Sequence, residues 1–327
     1  MNVLVGIYSR FASWNMPASY VERLRAEFPQ HRFVHATSDE EAEAQIGDAD
    51  VAFMSEVRRH HLAAAAALRW IHSPSAGVGG MLFPEMLRSP VIISNSRGLG
   101  GDTIGEHVIA VTLALFRKLP AAIRSQADRR WAQDEVAAPP PIRQLAGARV
   151  LLIGAGGIGA ACAWRFDALG ARVTAVRRRV DQPLPRGVAA AAPPDRLLEL
   201  LGEADVVVLA APHTRDTREL IGAPALAAMR QDAVLVNVSR GNLVDEAALA
   251  DALRRRAIGG AALDVFAQEP LDPASPLWDL PNVLITPHMS WYRSDHWAAA
   301  TDLFAENLRR FEAGRPLINV VDKQAGY

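Results

Sequence analysis

The stretch Val150-Leu151-Leu152-Ile153-Gly154-Ala155-Gly156-Gly157-Ile158-Gly159 constrains this chain more than any other. Four apolar residues run into a G-x-G-x-x-G loop, and the loop opens an alanine-rich helical pattern reaching about Leu169. Strand, glycine turn and helix in that order form the first unit of a parallel sheet that grips a dinucleotide. Gly154 makes the tight turn, Gly156 lets the backbone approach a pyrophosphate, and Gly159 lets helix and strand pack closely. The phosphates meet N–H groups at the positive end of the helix, with Ala155, Gly157 and Ile158 completing the loop. The strand that follows separates this loop from a glycine-rich turn without a ligand.

The rest of the chain is consistent with that beginning. From Arg149 onward strands are predicted at Val150–Ile153, Arg172–Val176, Asp205–Ala210, Ala233–Val238, Gly260–Leu263 and Val283–Thr286, with helices between them. That is a doubly wound, six-stranded parallel Rossmann sheet in an α/β protein. The first third alternates on its own account, with strands near residues 2–7, 32–35, 50–54, 69–72 and 91–94, which predicts a smaller flavodoxin-like α/β domain. Between the two lies an apolar helical pattern, Thr103–Leu119, with Asp102 or Thr103 as N-cap and Pro120 as stop, suited to crossing between domains. Ala121–Ala148 carries Trp131 and three consecutive prolines and reads as an exposed arm or loop. The expected division is residues 1–98 plus 289–327 for substrate and 99–288 for the dinucleotide.

Composition removes several classes of function. At 327 residues, two domains are expected at roughly 150 residues each. The net charge of -1 offers no field for a phosphate backbone, so no nucleic-acid partner is expected. The longest stretches without a charge, Trp70–Pro84 and Val150–Trp164, have 15 residues each, short of the ~18 of a membrane span. One cysteine, Cys162, and an N-terminus that reads as a strand and not as a signal peptide point to the cytoplasm. No metal site is expected: His31 and His35 have no third ligand in view, and His60-His61 read as exposed.

The second strand ends in Arg177-Arg178-Arg179, where an acidic residue would bind an adenosine ribose. Guanidinium groups bind a 2′-phosphate, so NADP(H) is expected over NAD(H), with Arg177 and Arg178 as its contacts. Three polar residues follow later strands, on the edge where an open α/β sheet builds its site: Arg240, Glu269 and His288. A fixed Arg can fork onto a substrate carboxylate and polarise the adjacent carbonyl; an imidazolium can donate a proton as hydride arrives; a carboxylate beside it favours the charged form. Taken singly these are a surface charge, a turn residue and a structural histidine. Together, after a dinucleotide loop, they read as a site that reduces 2-oxo acids.

The segments VLLIGAGGIG, VVVLAAPHTRDTREL, VLVNVSRGNLVDEAAL, GGAALDVFAQEPL, PNVLITPH and NSRGLGGDTIGEH, spanning Asn95 to His288, resemble the D-2-hydroxyacid dehydrogenases. The resemblance implies that Arg240 binds and polarises substrate, that His288 is the acid/base and that Glu269 is its partner. It places Asp264 against the nicotinamide carboxamide, Thr103 and Val238 on the cofactor side, and Ala211, Pro212 and Thr214 over the adenosine. It makes Ser75, Ala76, Gly77 and Val78 the loop whose N–H groups receive the substrate carboxylate, and it implies a homodimer, with Ala121–Ala148 as a plausible contact. The arginine-rich strand end and the C-terminal residues are most similar to the NADPH-linked glyoxylate/hydroxypyruvate reductases.

Two departures stand out. Gly79 replaces an Asp that many members carry, and Met289-Ser290-Trp291-Tyr292 replaces a run of small residues after His288. Trp291 and Tyr292 either wall the pocket for a larger 2-oxo acid or pack the domain junction. A broader-substrate or oxidising dehydrogenase and a non-catalytic dinucleotide sensor remain the alternative functions. Glu106 and His107 lie near the presumed site, Cys162 reads as a buried inert thiol, and no tyrosine is followed four residues later by lysine, against a Tyr–Lys acid.

Overall fold

The computed structural model describes residues 1–326. The chain forms two compact units, Met1–Leu99 with the chain from Arg293 onward, and Gly100–Tyr292. In the first, β1 (Asn2–Gly6), α1 (Ala18–Glu27), β2 (Arg32–His35), α2 (Asp39–Ile46), β3 (Val51–Met54), α3 (Arg59–Ala64), β4 (Trp70–Ser73), α4 (Pro84–Arg88) and β5 (Ile92–Asn95) alternate. The sheet is wholly parallel, in the flavodoxin-like order β2-β1-β3-β4-β5. Successive residues face opposite sides, so β1 sends Leu4 into one core and Val3 and Val5 into the other. The C-terminal helix His296–Glu312 closes the second core by stacking Phe304 on Phe53 at 4.4 Å. Near the end of the described chain, Val320 makes an isolated antiparallel bridge to Ser94 of β5.

The second unit begins with α5 (Gly101–Phe116), α6 (Leu119–Ala127) and α7 (Gln133–Ala137). Then come β6 (Arg149–Ile153), α8 (Gly157–Ala168), β7 (Arg172–Val176), β8 (Val188–Ala192), α9 (Leu197–Leu201), β9 (Val206–Leu209), α10 (Ala223–Ala228), β10 (Val234–Asn237), α11 (Glu246–Arg254), β11 (Gly260–Leu263) and β12 (Val283–Ile285). The strands run parallel in the order β12-β11-β10-β9-β6-β7-β8. The direction of winding reverses at β6, so the crevice of such a sheet lies beyond the carboxyl ends of β6 and β9. Leu151, Val207 and Leu235 enter one core, Val150, Val206 and Val234 the other. Each such buried aliphatic side chain contributes about 1.5–3 kcal/mol relative to exposure.

Several expectations are corrected. The sheet has seven strands, not six, because β8 is the alanine-rich Val-Ala-Ala-Ala-Ala, whose composition carries little β signal. The arm 121–148 contains α6 and α7. Pro120 does not end a helix but sits in the first turn of α6, and the break is made by Lys118 in the left-handed conformation at φ 56°. The cap of α5 is Gly100, not Asp102 or Thr103, and α5 lies wholly within the second unit, against α8. The units divide after Tyr292, not at 288, because the Asp264 carboxylate accepts the N–H groups of Met289 (2.9 Å) and Ser290 (3.0 Å) and ties them to the second unit.

Candidate active site

Gly154 has φ +100°, and a Cβ there would stand 2.7 Å from the carbonyl oxygen of Ala210; at Gly159 it would stand 2.2 Å from that of Gly154. These two glycines are demanded by the protein's own backbone. Gly156 and Gly157 differ: a Cβ on either meets nothing within 4 Å. Open space over the loop, at the N-terminus of α8, is what a pyrophosphate needs. No side chain caps α8, and Ala160 N–H donates to Gly156 O (2.8 Å), leaving the N–H groups of the preceding turn directed at that space. The residues present therefore fit a dinucleotide. Gly101 brings α5 against this loop, its Cβ position 3.4 Å from Gly157 O, so half-buried Thr103 on the first turn of α5 stands near it.

Arg240, Glu269 and His288 follow β10, β11 and β12, on the same edge of the sheet. His288 Nδ1 donates to Glu269 Oε2 at 2.6 Å, while Glu269 Oε1 accepts the Phe266 N–H at 2.9 Å. With Nδ1 committed to a carboxylate, Nε2 is the ring atom that exchanges a proton. Burial pushes the Glu269 carboxyl up, but the His288 hydrogen bond and charge, the Phe266 N–H and the Arg240 charge together hold it below the usual glutamate value. Desolvation lowers the Arg240 guanidinium, opposed by the Glu269 charge, although the residue as a whole is exposed. Gly241 joins the two loops: a Cβ there would fall 1.8 Å from the Phe266 carbonyl carbon, so only glycine lets the Arg240 turn lie on the 264–270 loop.

Asp264 lies at the centre of the His288 loop. Its carbonyl accepts the His288 N–H (2.8 Å), and its carboxylate accepts Thr286 Oγ1 (2.6 Å) besides the Met289 and Ser290 N–H groups. Having donated to Asp264, Thr286 Oγ1 accepts from His107 Nε2 at 3.3 Å. His107 is held low by burial, against the pull of Asp264. Trp291 Nε1 donates to the His288 carbonyl at 3.0 Å, and the Trp291 side chain packs on the core that includes Ile104. These bonds hold His288 at φ 52°, a left-handed conformation costing a non-glycine residue about 1–3 kcal/mol.

A model of the D-isomer specific 2-hydroxyacid dehydrogenase NAD-binding domain matches residues 109–290, more than half of the chain. The chain belongs to this family. The dehydrogenase is 36% identical to a glycerate dehydrogenase of Methylorubrum extorquens over 71% of this chain and 72% of that one. It is 33% identical to a glyoxylate reductase of Korarchaeum cryptofilum over 80% and 78%. Among solved structures, a D-isomer specific 2-hydroxyacid dehydrogenase family protein from Aeromonas salmonicida superposes with TM-score 0.85 at 33% identity, over 98% and 99% of the two chains. An NADPH-dependent glyoxylate/hydroxypyruvate reductase from Sinorhizobium meliloti, bound to NADP and sulfate, gives 0.83 at 28% over 100% and 99%. Members of the family are NAD(P)-dependent oxidoreductases.

The other residues expected at the site are placed as follows. Buried Ala211 and Val238 follow β9 and β10, and Ser239 Oγ donates to Ala211 O, joining their loops. Exposed Pro212 and half-buried Thr214 form a turn closed by Thr217, whose hydroxyl donates to Pro212 O at 2.7 Å. Arg177 gives its guanidinium to its own loop, donating to the carbonyls of Val180 (3.4 Å), Pro183 (3.1 Å) and Gln182, while Arg178 and Arg179 are exposed. In the first unit Ser75, Ala76 and Gly77 are exposed and Val78 is buried. Cys162 is fully buried, and burial pushes its thiol up to about 12, an inert group.

His61 is fully buried, contrary to the expectation of exposure, and converges with His60 and Asp39. Arg58 (3.0 Å) and Tyr8 (3.1 Å) already bind Asp39, and the Arg58 N–H donates to His61 Nδ1 (3.2 Å), which leaves the His61 proton on the nitrogen facing Asp39. This is an ion-pair network. The reading by residue type passed over Asn237, which donates to Arg240 O (3.0 Å) and accepts from Ser239 N–H (3.1 Å). It also passed over Gly241. Their signal was an Asn three residues before the candidate arginine and a glycine directly after it.

Proposed function

We propose that this dehydrogenase reduces small 2-oxo acids of the glyoxylate and hydroxypyruvate type to D-2-hydroxy acids with NADPH. The observation that carries the reading is the 2.6 Å Glu269–His288 pair on the same sheet edge as Arg240 and the glycine loop. The bound nicotinamide supplies the hydride. Arg240 forks onto the carboxylate and polarises the carbonyl, His288 Nε2 gives its proton to the carbonyl oxygen, and Glu269 fixes the ring. General acid catalysis of this kind contributes about 10²–10⁴-fold. The relatives named above, two of them reductases of glyoxylate or hydroxypyruvate, support the substrate class.

The NADPH preference is supported by the basic turn after β7, where Arg178 would hold a 2′-phosphate and Arg177 shapes the loop that presents it. Asp264, which holds the His288 loop, would also hold the carboxamide of a bound nicotinamide. Trp291 commits its N–H to His288 and its ring to the core, which weakens the case for a larger substrate. The α6–α7 segment leaves Ile123 61% and Trp131 92% exposed, as suits a homodimer contact. No helix among the described residues is long and apolar enough to cross a membrane, and the cytoplasm is the proposed compartment. An NADPH-oxidation screen over about ten 2-oxo acids, with chiral analysis of the products, tests the reading. No turnover of any of them would favour the non-catalytic sensor, and near-normal turnover by His288→Ala would remove the acid.

A further inference from the structure

The first unit contains a buried polar chain that the dehydrogenase reading does not use. His72, at the end of β4, is completely buried, pairs with Ser94 across the sheet, and is pushed by burial to about 3. Its Nδ1 lies 2.7 Å from Ser94 Oγ and its Nε2 3.3 Å from Ser96 Oγ. The direction of every bond follows from the ends of the chain. Trp70 Nε1, which can only donate, gives its proton to Ser94 Oγ (2.8 Å), and Ser73 O, which can only accept, takes that of Ser96 Oγ (3.0 Å). One arrangement satisfies all four contacts: Trp70 donates to Ser94, Ser94 to His72 Nδ1, His72 Nε2–H to Ser96, and Ser96 to the Ser73 carbonyl.

Two further bonds reach the segment beyond Ser73. Ser96 N–H donates to Ser75 O at 3.2 Å, and Asn95 Nδ2 donates to Ala76 O at 2.7 Å. Asn95 is itself fixed, its N–H donating to Asn319 O (3.1 Å) and its Oδ1 accepting from Arg97 N–H (3.3 Å). The carbonyls of Ser73, Ser75 and Ala76 are thus all gripped by the end of β5. In a trans peptide the N–H points opposite to the carbonyl of the preceding residue, so the Ala76 and Gly77 N–H groups are turned away from β5, on residues exposed to solvent.

We propose that Asn95, Ser96 and His72 are positioning residues for the substrate loop, holding its carbonyls inward so that the Ala76 and Gly77 N–H groups stand ready for the substrate carboxylate. The inference rests on the 2-oxo acid reading. It makes the loop rigid before substrate arrives, so its N–H groups need no reordering on binding.

The test compares pyruvate with methyl pyruvate in the wild type, Asn95→Ala, Ser96→Ala and His72→Gln, with melting temperature as a control for folding. In Asn95→Ala and Ser96→Ala, KM for pyruvate is expected to rise about tenfold, KM for NADPH to stay unchanged, and the preference for the acid over its ester to shrink by a similar factor. A structural role alone would lower acid and ester together. Folded variants that keep the wild-type KM and acid preference overturn the proposal, while a wild type inactive on pyruvate and on every other 2-oxo acid of the screen overturns the 2-oxo acid reading and this proposal with it. Should Asn95→Ala fail to fold, Ser96→Ala and His72→Gln decide.

Discussion

Replacing Gly241 by alanine adds one methyl group at the point where the Arg240 turn meets the Glu269 loop. The new Cβ would lie 1.8 Å from Phe266 C, 2.1 Å from Ala267 N and 2.2 Å from Phe266 O, all backbone atoms that cannot rotate aside. Ordinary contact begins at 3.4 Å, so the two loops must part by about 1.6 Å, the difference between those distances. The Glu269 loop is also bonded to the start of α11, where Glu246 Oε1 accepts the Ala267 N–H at 2.6 Å, so it cannot move away without straining that bond. Overpacking costs about 1–3 kcal/mol, and a 1 Å displacement in a reacting constellation costs about 10²-fold. Gly241→Ala is therefore expected to lower kcat/KM for 2-oxo acids about 100-fold and the melting temperature by roughly 2–10 °C. Gly156→Ala is the matching control: its Cβ meets nothing in the protein, so melting without ligand should be unchanged while KM for NADPH rises. Wild-type kinetics and melting in Gly241→Ala would refute the contact argument, and an unchanged KM in Gly156→Ala would refute the pyrophosphate approach.

Because the Glu269 carboxyl is held below its ordinary value of about 4.3, the stability it contributes is complete above that value and is lost as pH falls through the lower folded value. Glu269→Gln should flatten the acid side of a plot of melting temperature against pH; an unchanged acid limb would count against the pairing. Trp291→Phe keeps an aromatic ring but removes the donor to His288 O, a bond of about 1 kcal/mol, so kcat should fall severalfold with KM for NADPH intact. A raised KM with unchanged kcat would place Trp291 elsewhere in the reaction. Arg178→Ala should lower the NADPH-over-NADH ratio of kcat/KM at least tenfold, and Arg177→Ala, which frees three loop carbonyls, should lower the melting temperature. Equal ratios in wild type and Arg178→Ala would dismiss the 2′-phosphate contact.

Much of the site was legible as spacing. The glycine loop announces itself because its geometry admits few other residues, and Arg240, Glu269 and His288 each follow an apolar run that can only be a strand end. Parallel pairing then delivers all three to one edge. What spacing could not convey was competition for hydrogen bonds. The Arg177 guanidinium, for one, is taken up by carbonyls three to six residues away in its own loop, which its place in an arginine run does not announce. Pro120 is equally ambiguous in sequence, since a helix ends before proline and begins with it. β8 escaped because alanine fits strand and helix alike, and its place beside β7 is decided by backbone pairing, not by its side chains.

The sequence by itself determined the α/β class, the dinucleotide loop and the order of the polar residues along the chain, since these depend on local periodicity and on conformations only glycine adopts. Tertiary structure alone decided that Asp264 holds the His288 loop, that Gly241 is pressed onto Phe266, and that Ser73, Ser75 and Ala76 are gripped by the end of β5. Those facts depend on which donors and acceptors, distant in the chain, face one another after folding, and no local rule specifies that pairing.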